Sequence, residues 1–240
     1  MKSFRTTFSV MGTVASLTGP AGLRTVAPDV EHILRAADDR FSPFRADSEL
    51  VRMQRDPGRH DPSDDMREVL AGCRVLTDVT DGDFQAVDPR GRVDTTGYVK
   101  GWAMQRVADT LNDAGWHDWL LVVGGDVMSA GTNAGRPWRV AIRHPALAAG
   151  VADVLELPDG GAVATSADYE RGNHVWGNKL GDVSSRTRAG SVTVVGPRID
   201  VADALATALW ANGRPRPSWL ERVPDYRAFT LDGLGHRIAA

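Results

Sequence analysis

The chain is 240 residues long, with 28 Lys plus Arg against 31 Asp plus Glu, a formal charge of −3, and 42% hydrophobic and 25% charged residues. Those proportions belong to a soluble globular chain able to bury a sizeable core, and they exclude disorder through low hydrophobicity. Mild acidity without basic runs argues against nucleic acid as a partner, the lone Cys73 excludes an internal disulfide or a multi-cysteine metal site, and no apolar run reaches the roughly 20 residues of a membrane-spanning helix.

The start of the chain, Met1-Lys2-Ser3-Phe4-Arg5, is followed by no apolar signal-peptide core, so a cytoplasmic location is expected. Ser3 to Leu17 is rich in Thr, Phe, Val and Ser and reads as an extended strand or hairpin. After Pro28, which suits a first helical turn, Val30, Ile33, Leu34 and Ala37 carry the helical period. Between Phe41 and Pro62 lies a polar stretch with Ser42, Pro43 and a Ser–Glu pair at Ser48–Glu49. Ser63 then makes an N-cap, with Asp64 and Asp65 where the helix dipole favours them, and the buried face would be Met66, Val69, Leu70 and Cys73. Cys73 is thus expected in the core, not as a reactive thiol.

A third helix is expected from about Gly97 or Tyr98 to Asn112, stopped by Gly115. Trp119–Val123 is a short apolar strand ended by Gly124-Gly125-Asp126, and Trp138, Val140 and Ile142 alternate with more polar neighbours. Ala162–Ser166 and Ser191–Val195 read as buried strands, Val201 to Asn212 as a helix closed by Gly213, and Tyr226 onward as a terminal hairpin. There is no internal repeat, low-complexity tract or sharp linker. The class is a mixed α/β or α+β core, either one domain or two intimately packed lobes.

Chemistry gathers at a few places. Gly124-Gly125-Asp126 after a strand allows close backbone approach to a ligand, or is simply a tight turn capped by Asp. Gly97-Tyr98-Val99-Lys100-Gly101 sets a lysine at a loop-to-helix junction, suited to phosphate oxygens or merely solvated; it is not a Walker motif. Asp203 and Thr207 stand four apart on one helix face and could share a hard cation such as Mg²⁺. Asp203 lies among Ala202, Ala204, Leu205, Ala206 and Ala208, and a carboxylate there is costly to bury unless something pairs with it. His174 occupies a polar loop and could serve as a general base. No histidine cluster has zinc spacing, and no Gly-x-Ser-x-Gly elbow occurs.

In order, these stretches resemble the ApbE family of FAD:protein FMN transferases over almost the whole chain. The similarity rests on Met11-Gly12-Thr13; Phe41-Ser42-Pro43-Phe44 with Ser48-Glu49-Leu50; and Asp94-Thr95-Thr96-Gly97-Tyr98-Val99-Lys100-Gly101-Trp102-Ala103, against the family's Asp-Leu-Gly-Gly-x-Ala-Lys-Gly-Tyr-Ala. It continues through Gly124-Gly125-Asp126, Gly131 and Trp138-Arg139-Val140, then Ala164-Thr165-Ser166, Tyr169-Glu170-Arg171 and His174, and closes on Ala202-Asp203-Ala204-Leu205-Ala206-Thr207-Ala208. The resemblance implies an α+β fold of mixed sheets flanked by helices, with a ligand cleft between two lobes. It implies an Mg²⁺-dependent enzyme that takes FAD as substrate, moves FMN onto a Ser or Thr hydroxyl of a target flavoprotein and releases AMP. Asp203, Thr207 and the backbone carbonyl of Gly97 would be metal ligands. Met11, Lys100, Gly124, Gly125, Asp126 and Ser166 would contact FAD, and His174, with Asp203, would be catalytic.

The chain departs from the family after that histidine. Where the family reads His-Ile-x-Asp-Pro-x-Thr-Gly, this chain reads His174-Val175-Trp176-Gly177-Asn178-Lys179-Leu180-Gly181. Thr96 also replaces the first glycine of the lysine motif. Two other readings of the same site therefore stay open: hydrolysis of FAD to FMN and AMP, and FAD binding without catalysis.

Overall fold

In a computed structural model the described residues are 3–88, 90–147, 149–167, 189–213 and 216–238. The chain opens with a hairpin, β1 (Ser3–Val10) and β2 (Thr13–Pro20), in register from Ser3 opposite Pro20 to Val10 opposite Thr13. Its two-residue turn needs positive φ at both positions, and Met11 (52°) and Gly12 (68°) both have it. A short 3₁₀ turn, Ala21–Thr25, leads into α1 (Ala27–Phe41), which buries Val30, Leu34 and Ala37 at the expected period.

The polar stretch after α1 is partly helical. It contains α2 (Glu49–Arg55), capped by Ser48, whose side chain accepts from Val51 N at 3.1 Å. Seven residues are too few for a periodic signal, so the pattern of the polar stretch does not announce this helix. Glu49 then accepts from Ser63 N and Ser63 Oγ, fastening α2 to the start of α3 (Asp64–Val79). Ser63 caps α3 as expected, and Cys73 is buried there, its thiol pushed up to about 12 by burial.

Next comes α4 (Thr96–Asp113), then β3 (Trp119–Val123), β4 (Asp126–Ala130), β5 (Trp138–Arg143), β6 (Val151–Leu157), β7 (Gly160–Ser166) and β8 (Ala189–Gly196). α5 (Ile199–Asn212) begins two residues earlier than expected, and Gly213 ends it in the left-handed conformation. A second 3₁₀ turn, Ser218–Arg222, precedes β9 (Arg227–Asp232) and β10 (Arg237–Ile238), the expected terminal hairpin.

Eight strands form one sheet in the order β1-β2-β3-β4-β7-β8-β9-β10, and β5 pairs with β6 apart from it. Every pairing between these strands is antiparallel, which makes the fold α+β. Strand alternation divides the sheet's side chains between its faces. Leu17, Leu121, Val123, Met128, Ala164 and Val194 join the helices in one core. Val127, Val163, Phe229 and Leu231 meet Trp138, Val140 and Ile142 of the β5–β6 pair in a second.

The two helices that matter most lack an amphipathic stripe because they are covered nearly all round. α5 packs on α4 and on β7 and β8, and α4 packs also on α1. Among the described residues no helix is long and apolar enough to cross a membrane.

Candidate functional site

Strand polarity brings distant segments to one end of the main sheet. The β1–β2 turn at Met11, the β3–β4 turn at Gly124–Gly125 and the C-terminal end of β7 at Ser166 share that end, because β2, β3, β4 and β7 pair antiparallel in succession. Gly124 and Gly125 have φ of 56° and 99°, which side chains disfavour. A Cβ on Gly124 would stand 3.2 Å from both Cγ2 and Oγ1 of Thr13, so the glycine turn lies directly beside the Met11–Gly12–Thr13 turn. Ser166 is half-buried at the end of β7.

From that end the site runs inward to where α4 and α5 touch by their backbones. A Cβ on Gly101 would fall 2.8 Å from Asp200 Cα and from Ile199 O, and 3.1 Å from Asp203 Cβ. One turn earlier, a Cβ on Gly97 would meet Thr207 Cγ2 at 3.3 Å and Oγ1 at 3.7 Å. The four-residue spacing of Gly97 and Gly101 matches that of Asp203 and Thr207, so two glycines of α4 face the carboxylate and hydroxyl of α5. Gly101 stands in the lysine motif, but its contact with α5 was not expected from the sequence, although the repeat of small residues at four was its signal.

Lys100 stands beside Gly101 and is buried, not solvated. Its Nζ lies 2.5 Å from Asp126 Oδ2 and 3.6 Å from Asp203 Oδ1. Asp203 Oδ2 accepts from Gly101 N at 3.2 Å, and Asp126 Oδ1 accepts from Thr165 N at 3.1 Å. Lys100, Asp126 and Asp203 are only 6%, 0% and 4% exposed. Asp203 is therefore already paired without a metal, which corrects the expectation of a lone carboxylate on an apolar face. Asp126 does not cap its own turn; it reaches across to α4 and β7. Burial pushes the Asp126 carboxyl up to about 6; the Lys100 ammonium opposes the shift and the Asp203 carboxylate adds to it.

Gly97, Lys100, Asp126, Asp203 and Thr207 thus form one contiguous set linked by the contacts above, and Met11, Gly124, Gly125 and Ser166 lie on the sheet end beside it. His174 lies outside the described residues. Among the described residues no group of three or more His, Cys, Asp and Glu is arranged to hold a metal ion. Asp200, also at the α4–α5 contact, is taken up by Arg198 and faces Tyr98, so what the contact offers a ligand is the Asp203 carboxylate, the Thr207 hydroxyl and backbone oxygen. That all-oxygen set fits a hard cation such as Mg²⁺, which needs few protein ligands and keeps water or phosphate for the rest.

A family model described as the ApbE family matches residues 84–230, more than half of the chain. An FAD:protein FMN transferase of Rhodobacter capsulatus is 34% identical over 154 residues, covering 61% of this chain and 29% of its own length. One of Vibrio cholerae is 32% identical over 160 residues, covering 62% of this chain and 47% of its own. The match therefore spans less than half the length of these relatives. Among solved structures, the flavin transferase ApbE from Vibrio cholerae aligns with a TM-score of 0.79 at 22% identity, over 96% of this chain and 94% of that one. The ApbE protein of Thermotoga maritima aligns with a TM-score of 0.82 at 18% identity, over 100% and 97%. Both likenesses establish the fold.

Proposed function

Since the chain belongs to the ApbE family, we propose that it is an Mg²⁺-dependent FAD:protein FMN transferase that modifies a Ser or Thr of a target flavoprotein. The observation that carries this reading is the meeting of Lys100, Asp126 and Asp203 at the glycine-built contact of α4 and α5. A diphosphate substrate needs positive charge and a cation site side by side, and few other chemistries would reward burying such a set.

In this reading Asp203, Thr207 and the Gly97 backbone hold the cation, which when bound supplies charge neutralisation at the diphosphate oxygens. Lys100 adds a fixed positive charge at the same place. The Gly124–Gly125–Asp126 turn, Met11 and Ser166 line the FAD, the glycines letting backbone come close to it. The acceptor hydroxyl oxygen bonds to the phosphorus of the FMN half as the phosphoanhydride P–O bond breaks. The bonding electrons leave on the AMP phosphate, and the hydroxyl proton passes to His174. Little covalent chemistry falls to the protein; positioning and charge supply the rate.

FAD binding without catalysis is the second reading, favoured by the replaced Asp-Pro after His174, and hydrolysis, with water in place of the protein hydroxyl, is a third outcome of the same test. Purified chain incubated with FAD and Mg²⁺, with and without a flavoprotein domain carrying an acceptor Thr, separates the readings. Transfer gives AMP and an acceptor heavier by one FMN moiety, and His174→Gln lowers that rate by about 10²–10⁴-fold. AMP with free FMN means hydrolysis, and unchanged bound FAD means a binding protein.

A further inference from the structure

α4 and α5 pass each other antiparallel, with a contact at every fourth residue. Gly97 meets Thr207, Gly101 meets Asp203, and one turn further along Gln105 meets Ile199. At the first two positions α4 has no side chain to interlock with α5. The bond from Gly101 N to Asp203 engages the very carboxylate that a cation would claim, and Tyr98 Oη reaches Asp200 Oδ2 only at 3.5 Å. The third contact is independent of that carboxylate. Gln105 is buried, and its Oε1 accepts from Ile199 N, the first N–H of α5, at 3.2 Å. Arg198 gives α5 no side-chain cap, so that N–H is satisfied from the neighbouring helix. The amide can face only one way: its Nε2 donates to Asp109 Oδ1 at 2.9 Å, one turn along α4, and a carboxylate only accepts.

We propose that Gln105 is a positioning residue for the cation site: by holding the first N–H of α5 it fixes the register at which Asp203 and Thr207 meet the Gly97–Gly101 stretch of α4. This rests on the reading of Asp203 and Thr207 as metal ligands. The Gly97 carbonyl belongs to α4, whereas the carboxylate and the hydroxyl belong to α5, so the three oxygens converge on one cation only at one setting of the two helices. Such a set must be held to within about 0.5 Å of its working geometry. Without the Gln105 acceptor a buried N–H is orphaned, and the first turn of α5 shifts to find it another partner. Asp203, one turn further on, is carried with it.

The test is titration of the purified full chain with Mn²⁺ alone, following free Mn²⁺ by electron paramagnetic resonance, well below the melting temperature of every variant. Gln105→Met keeps the volume and removes the acceptor. It should weaken binding about 10-fold, the lower end of the range for groups that support a metal ligand without touching the metal. Ile199→Pro removes the donor instead, at a first helical position after an extended residue, where proline is tolerated. It should weaken binding too, and adding Gln105→Met to it should change the affinity by no more than about twofold, because the bond is already gone. Ser63→Ala, which removes the cap of α3, should lower the melting temperature and leave Mn²⁺ affinity unchanged. Wild-type affinity in Gln105→Met, losses that multiply in the double variant, or an equal loss in Ser63→Ala overturns the proposal while Asp203→Ala still abolishes binding. If Gln105→Met fails to fold by circular dichroism, Gln105→Asn, which draws the acceptor back by one methylene, takes its place with the same expectation. If Ile199→Pro fails to fold, the contrast with Ser63→Ala decides. A wild type that binds no Mn²⁺, or Asp203→Ala binding as well as wild type, overturns the metal reading itself and this inference with it.

Discussion

Asp203 shows what a single buried charge demands. Its sequence neighbours on α5 are apolar, so its pairing must come from elsewhere, and α4 provides it through Gly101 N and, at longer range, Lys100. Asp203→Ala removes the charged acceptor that Gly101 N reaches in addition to its own helix, and one of the carboxylates facing the ammonium. It should therefore cost about 1.5–3 kcal/mol, the usual worth of a hydrogen bond to a charged group, measured by urea unfolding. A cost indistinguishable from zero would mean that the Gly101 bond contributes nothing. Asp126 gives a pH signature in the metal-free protein. Its carboxyl is raised by burial from 3.8 to about 6, so between those values the folded state holds a proton that the unfolded chain has released. Its contribution to stability therefore falls as pH rises through that window and is level above it. The stability difference between wild type and Asp126→Asn, followed from pH 4 to 7, should decline in the same sense; a flat difference contradicts the shift. At this scale the pairing of Asp203 with Thr207 was legible because helical spacing is local. The Lys100–Asp126 pair was not, because strand order decides which turn meets which helix.

At the scale of elements, the α4–α5 contact is the piece on which the site depends. Ala at position 101 would gain roughly 1 kcal/mol of helix propensity over Gly. Its Cβ would, however, stand 2.8 Å from Asp200 Cα and Ile199 O, which are backbone and cannot step aside. Overpacking of this kind costs about 1–3 kcal/mol and would part the helices. Gly101→Ala should thus lower the melting temperature and also weaken Mn²⁺ binding, because Asp203 and Gly97 would shift apart. A variant melting at or above wild type would show that the helices are not closely packed there. Most elements were readable from local pattern: α1 and α3 from apolar period and caps, β3 and β5 from composition and alternation, the end of α5 from Gly213. α2 was not, since a helix of seven residues has no periodic signature and is held by Ser48 and by Glu49 on Ser63. The covered helices α4 and α5 were found from their ends, because burial on all sides erases the polar face.

Across the whole molecule, the sheet order is what joins a turn near residue 12, a turn near 124 and a strand ending at 166. Nothing in the local sequence announces that order; the motifs were linked only through their likeness to a family, and the structure gathers Met11, the Gly124–Gly125 turn and Ser166 at one sheet end beside the helix pair carrying Gly97, Lys100, Asp203 and Thr207, while Gly131 and Trp138–Val140 lie elsewhere. If that assembly is an FAD site built around a cation, binding and chemistry should separate cleanly. The decisive measurement is AMP release in a single turnover with FAD and Mg²⁺, set beside FAD binding by calorimetry, in wild type and Asp203→Ala. The account predicts cation-dependent AMP release by wild type, and Asp203→Ala that still binds FAD but releases AMP no faster than the metal-free protein. Undiminished AMP release by Asp203→Ala, or a wild type that binds no FAD, would contradict it.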